Sequence, residues 1–383
     1  MGYTSQERDY SSLFRGSMPE GLIPGTGIRV VSEVFSSGNG YSFPADRNLP
    51  GTVMSFFLND GMSRTNNRFR YHILIPDGAV GRGAIILLHG LNERSWSKYL
   101  QWGIRLATDS GRPVIFFPIA FHMNRSPRSW FDRHAMMPAV AARNSEDPSP
   151  RLASFVNVAL STRMSLSPQR FFLSGYQTVC DVADLIGIIQ RGEHSHIREG
   201  GTVDIFAYSI GAMLAQVLML SRSNMLPDDS RCFLFCGGST LNTMNGTSRL
   251  IMDSRAFDRL ISFYIDELAE IRKTRRDRFT RTVTDTSAGE AFFAMSSLPR
   301  MRSLYGNPFM KTGGRMKAVT IEGDQVIPAA AVSAALEGAD CEVWSADYPF
   351  THEIPFPVSS DRFNYAVDKT FDRVFDTAAS FFS

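Results

Sequence analysis

Apolar residues fall along this chain in two rhythms. Residues 28–35, 53–58 and 69–75 are rich in β-branched and aromatic side chains and bounded by Gly, Pro, Asn or Asp, a pattern that predicts strands. Segments spaced this closely should pair antiparallel at one edge of a sheet, with 37–50 as a loop between the first two. Residues before about Pro24 are mostly polar with scattered Gly and Pro and are expected to wrap the surface. From Ala84 the rhythm changes. Residues 84–88, 114–118, 203–206, 232–236 and 316–321 are short runs dominated by apolar residues, as in strands buried on both faces, and 341–344 closes the series. Helical periodicity lies between them: 97–110, the stretch from Pro168 to Gln190, the run after Gly211, 328–336 and 362–382. Strand, helix, strand with buried strands implies parallel pairing with helices on both faces. The expected class is α/β, a mostly parallel twisted sheet.

Two excursions interrupt that order. Residues 119–168 are too long for a simple connection and are expected to form a lid-like loop. Residues 239–314 hold helical stretches at 257–271 and 288–296 with no core strand, and are expected to form a helical cap insertion. The expected organisation is an N-terminal extension over 1–50, a core made of 51–238 and 315–383, and the cap between its two parts.

Composition narrows the function. With 383 residues and a net charge of +2, the chain can bury a large core and shows no basic surplus for nucleic acid. The N-terminus has no apolar signal region, and no apolar run looks long enough to span a membrane. The four cysteines (Cys180, Cys232, Cys236, Cys341) fall in predicted helix and strand interiors without metal-like spacing, as buried thiols of a reducing cytoplasm would. There is no phosphate loop, no dinucleotide fingerprint and no carboxylate cluster suited to a metal, so no cofactor is expected. Oligomeric state is not legible.

The chemistry centres on Ala207-Tyr208-Ser209-Ile210-Gly211, where a strand turns at once into a helix. Such a turn needs small residues two before and two after its apex, and Ala207 and Gly211 supply them. The apex residue, Ser209, is forced into a strained backbone and exposed at the sheet's C-terminal edge. Two later segments offer partners. Gly323-Asp324 follows strand 316–321 just before Pro328 begins a helix, and His352 lies in the loop after strand 341–344. Glu322, Asp340 and Asp347 are rival acids. Asp324 could also serve as a plain helix cap, and the two roles are compatible.

With His89-Gly90, the Ala207–Gly211 turn, Gly323-Asp324 with Val326 and Pro328, and His352 in this order, the chain resembles the α/β-hydrolase superfamily from about residue 50 to its end. Ala207 departs from the family's usual glycine, a sterically tolerable change. The resemblance implies a nucleophile Ser209, a base His352 and an acid Asp324, with the amides of Leu91 and Ile210 as oxyanion donors. His89 then reads as a brace of the oxyanion loop. His89, Gly90 and Tyr208, with His122, Arg125 and Trp130 from the loop after the strand, are the candidates for lining a substrate pocket. The implied activity is hydrolysis of a carboxylic ester or thioester of a small to medium acyl substrate. Peptidase or amidase chemistry, acyl transfer, and a non-catalytic binder on the same fold remain open alternatives.

Overall fold

A computed structural model describes residues 2–14, 18–40, 63–79, 83–145, 152–198, 200–221, 225–358 and 361–383. Its centre is a nine-stranded sheet: β1 (Gly21–Ile23), β2 (Ile28–Ser36), β3 (Arg68–Pro76), β4 (Ala84–Leu88), β5 (Val114–Phe116), β6 (Val203–Tyr208), β7 (Cys232–Phe235), β8 (Met316–Ile321) and β9 (Asp340–Trp344). Their spatial order is β1-β2-β3-β5-β4-β6-β7-β8-β9. The pairings β1 to β2, β2 to β3 and β3 to β5 are antiparallel, and all the others are parallel.

Alternation explains why the central strands read as unbroken apolar runs. Ala84, Ile86 and Leu88 of β4 enter one apolar core, while Ile85 and Leu87 enter the other. In β6, Val203, Ile205 and Ala207 face the first core, and Phe206 and Tyr208 the second. Every residue of these two strands is therefore buried, so a polar residue there would need a partner. Asp204 has one in Arg112, whose guanidinium bonds it at 2.5 Å.

The N-terminal stretch is more ordered than its polarity predicts. Residues Tyr3–Leu13 form a helix that docks on the closing helix Asn364–Phe382. The Tyr3 ring stacks on Phe371 at 4.2 Å, and the Thr4 amide donates to Asp368 at 2.7 Å. The antiparallel edge carries Gly21–Ile23 as its outermost strand. The strand expected over 53–58 lies outside the described residues. Helix Gln169–Gln190 is long and apolar enough by composition to span a membrane, but about two thirds of its apolar window is buried inside the protein. Cys180, Cys232 and Cys236 are buried free thiols, whereas Cys341 is only half-buried.

The two excursions pack on each other. The first contains helices Arg133–Ser145 and Val158–Leu166, more regular structure than a loop. From it, buried Arg143 bonds both carboxylate oxygens of Asp253 in the second, at 2.6 and 2.7 Å. Asp253 also caps helix Ser254–Ser262 through the Ala256 amide. A bidentate pair of this kind is directional as well as strong, and it fixes the two insertions as one unit.

Candidate active site

β6 ends at Tyr208 and a helix begins at Ile210, so Ser209 alone makes the turn. Its backbone sits at φ 57°, ψ −123°, a region L-residues avoid at a cost of roughly 1–3 kcal/mol. The surroundings hold it there. Its amide donates to Phe235 O of β7 at 3.2 Å. A Cβ on Gly211 would lie 2.6 Å from Leu88 O, and one on Gly237 would lie 2.6 Å from Ser209 O. Both glycines are demanded by close backbone approach. Ala207, two residues before the serine, is fully buried with its methyl in the core.

The residues singled out as partners meet at this turn. Ser209 Oγ lies 2.7 Å from His352 Nε2, and His352 Nδ1 lies 2.8 Å from Asp324 Oδ2. Ser209, Asp324 and His352 are each at least 95 % buried, which leaves little room for bulk water between them. The other oxygen of Asp324, Oδ1, accepts the amides of Val326 and Ile327, both at 2.9 Å. That arrangement fixes the carboxylate and leaves Oδ2 for the imidazole. Because Oδ2 accepts, Nδ1 carries the proton, and the Nε2 lone pair faces the serine hydroxyl, which donates to it. Asp340, a rival acid, pairs with Lys317 at 2.7 Å. His352 is held from behind by Tyr208, whose hydroxyl donates to the His352 carbonyl and whose ring stacks on the imidazole at 5.5 Å.

The loop after β4 comes next to the serine. Buried His89 accepts the Ile119 amide on Nε2 at 2.9 Å and donates from Nδ1 to Gly90 O at 2.8 Å. Burial holds its pKa well below the ordinary histidine value, so it braces the loop as a neutral ring. The Gly90 amide donates to Tyr99 Oη at 3.0 Å; Tyr99 in turn donates to Glu93, which is ion-paired with Lys98. Lys98 also donates to the carbonyl of Glu353, beside the histidine. Both polar groups of Gly90 are thus engaged. The amides of Leu91 and Ile210 have no acceptor among the described residues, and both residues line a pocket with Ser209. A Cβ on Gly90 would crowd Tyr208 at 3.1 Å and Ser209 Cβ at 3.4 Å.

Three pockets meet here. One of about 400 Å³ is walled by Leu91, Ser209, Ile210 and apolar residues of the second excursion, including Leu241, Met244 and Phe257. The second, about 600 Å³, holds Ser209, His352, Gly90, Tyr208, Arg94 and Glu353. The third, also about 600 Å³, shares Leu91, Asn92, Glu93, Arg94 and Val156 with it. Of the sequence-predicted lining residues, Gly90 and Tyr208 border the serine's own pocket, and His122 and Trp130 border the adjoining one. Arg125 lines none of these three pockets, and that expectation is corrected. It is fully buried, bonded to Asp181 at 2.8 Å and to the carbonyls of Pro118 and Asn66. Arg94, Glu353 and the apolar wall residues were not singled out by the sequence. Arg94 could have been, since it stands three residues after Leu91. Among the described residues there is no cluster of three or more His, Cys, Asp or Glu suited to a metal.

The sequence model of a family described as "Family of unknown function (DUF6051)" matches residues 38–383. No curated protein matches the sequence. Among solved structures, the chain is similar to carboxyl esterase 2 of the mycorrhizal fungus Tuber melanosporum, at 11% identity and a TM-score of 0.48, over 98% of this chain and 96% of that one. It is also similar to brefeldin A esterase, a bacterial homologue of human hormone-sensitive lipase, at 12% identity and a TM-score of 0.42, over 99% and 84%. The AtxE2 isopeptidase is similar at 11% identity and a TM-score of 0.45, over 93% of this chain and 40% of its own. With TM-scores under 0.5, these likenesses carry no argument about this chain. The fold is read from its own topology: a mostly parallel nine-stranded sheet flanked by helices.

Proposed function

The chain belongs to DUF6051, a family of unknown function, and we propose that it is a serine hydrolase cleaving a carboxylic ester or thioester of small to medium acyl size through an acyl-enzyme. The observation that carries this reading is the unbroken hydrogen-bonded series from Ser209 through His352 to Asp324 in a buried setting. A serine hydroxyl is a weak nucleophile at neutral pH and needs a base to take its proton as it attacks. His352 Nε2 takes that proton while Ser209 Oγ bonds the acyl carbon. Asp324 stabilises the resulting imidazolium and holds the tautomer. The carbonyl oxygen, now negative, is met by the Leu91 and Ile210 amides; losing one such donor typically costs about 3–4 kcal/mol of transition-state stabilisation. Collapse expels the alcohol or thiol, which leaves with the proton from His352. Water then repeats the sequence on the acyl-serine, and the carboxylic acid departs.

The 400 Å³ apolar pocket beside Ser209 and Ile210 suits the acyl group, since it lies away from His352. The leaving group must sit where His352 can protonate it, in the more polar pocket that the histidine borders. Residues of the second insertion line both, which favours small substrates over a folded protein. The test is hydrolysis of p-nitrophenyl esters of graded acyl length by wild type and Ser209→Ala. The expected result is turnover by wild type that falls on the order of 10⁶-fold in the variant. Equal turnover by both proteins would remove Ser209 from the chemistry.

A further inference from the structure

The pocket adjoining the serine's own is lined by Arg94, Arg163 and Arg170 among aromatic and aliphatic walls, with Glu93 as its acidic member. Glu93 is already ion-paired with Lys98. Arg94, like Arg163, lies against aromatic rings of this cleft. Its guanidinium lies over the rings of Phe131 at 5.0 Å and Phe155 at 5.5 Å, and its polar contact is a long 3.4 Å bond to the Trp130 carbonyl. No carboxylate pairs with it among the described residues. Burial lowers its pKa from the ordinary arginine value. A guanidinium lying over rings keeps its planar N–H fork, the geometry that matches a carboxylate bidentately. Arg94 also borders both the adjoining pocket and the one with Ser209 and His352, so a ligand at the serine can reach it.

Resting on the serine-hydrolase reading, we infer that the substrate carries a carboxylate away from the scissile bond, and that Arg94 selects it in the adjoining pocket. The single guanidinium fork of Arg94 matches a single carboxylate better than a phosphate dianion. Glu353 determines the side on which the anion lies. It borders the serine's pocket, where it accepts a bond from Ser248, and is absent from the lining of the adjoining one. An anion near Glu353 would be repelled, so it belongs beyond Asn92.

Binding to Ser209→Ala, which keeps the pockets without turnover, tests this apart from catalysis. Three probes suffice: phenyl hexanoate, monophenyl adipate with the carboxylate on the acyl side, and para-carboxyphenyl hexanoate with it on the leaving side. One anionic ester should bind about 10- to 100-fold more tightly than the neutral one, the worth of a hydrogen bond between charged groups. That preference should fall below about threefold when Arg94→Gln is added, persist in part with Arg94→Lys, and weaken as salt is raised. Equal binding of all three esters, or a preference that survives Arg94→Gln, overturns the inference. Hydrolysis of phenyl hexanoate by wild type is scored separately. Its absence would condemn the hydrolase reading and leave the affinity comparison standing.

Discussion

Asp324→Asn is the most informative single change, because the surroundings dictate how the new amide must sit. In wild type, Oδ1 accepts two backbone amides at 2.9 Å and Oδ2 accepts His352 Nδ1–H at 2.8 Å. An asparagine has one accepting end and one donating end. Turning its NH₂ toward Val326 and Ile327 would leave two buried amides without acceptors, at about 1–3 kcal/mol each. The carbonyl oxygen therefore stays on those amides, and the NH₂ faces His352. Nδ1 must then accept, which moves the imidazole proton to Nε2, opposite the serine hydroxyl. In that tautomer the ring cannot take the proton of Ser209. The expected loss is on the order of 10⁴-fold in kcat, equivalent to about 5 kcal/mol of transition-state stabilisation. KM and the unfolding midpoint should move little, since the shape and the backbone bonds survive. Steady-state kinetics on a p-nitrophenyl ester, with a denaturant titration alongside, reads both. A variant whose kcat stays within about tenfold of wild type would refute the tautomer argument.

Three further outcomes follow from named contacts. Arg125→Met strands Asp181 as a buried charge and should cost about 3–5 kcal/mol of stability by denaturant titration, while kcat/KM of the folded protein stays near wild type; a large kcat/KM loss at full stability would return Arg125 to substrate binding. Tyr208→Phe removes the hydroxyl that bonds the His352 carbonyl but keeps the stacked ring, so kcat should fall roughly tenfold with KM nearly constant; an unchanged kcat would show that the histidine needs no such brace. Burial lowers the His122 pKa to about 4, so the folded chain binds fewer protons there than the unfolded chain between pH 6.5 and 4. Its contribution to stability is complete above about pH 6.5 and is lost as pH falls toward 4, worth roughly 3 kcal/mol. Unfolding midpoints of His122→Gln against wild type should converge toward acid pH, and parallel curves would contradict the assignment.

Much of the site was legible in sequence because its signals are local. The serine turn is announced by small residues at fixed offsets, and the structure shows why Gly211 cannot carry a side chain while position 207 can. Gly323-Asp324 and His352 stand just past strands, where a parallel sheet gathers such residues at one edge. What stayed hidden depends on partners far along the chain. Arg125 sits in a loop that reads as pocket lining, yet Asp181 on a helix 56 positions later draws it into the core. The link from Gly90 through Tyr99, Glu93 and Lys98 to the Glu353 carbonyl ties residues whose roles appear only once two loops meet. The N-terminal helix has a polar sequence, and its docking rests on Tyr3 and Thr4 finding Phe371 and Asp368 on the last helix. Apolar wall residues such as Leu241 and Met244 look like ordinary core until the turn places Ser209 beside them.

The central claim is that Ser209 is an activated nucleophile, and covalent labelling by a fluorophosphonate tests it most directly. Intact mass should show one adduct per wild-type chain, and peptide mapping should place it on Ser209. Ser209→Ala should take none, and Asp324→Asn should react far more slowly. A folded wild-type protein that stays unlabelled, or one labelled at another serine, would contradict the account.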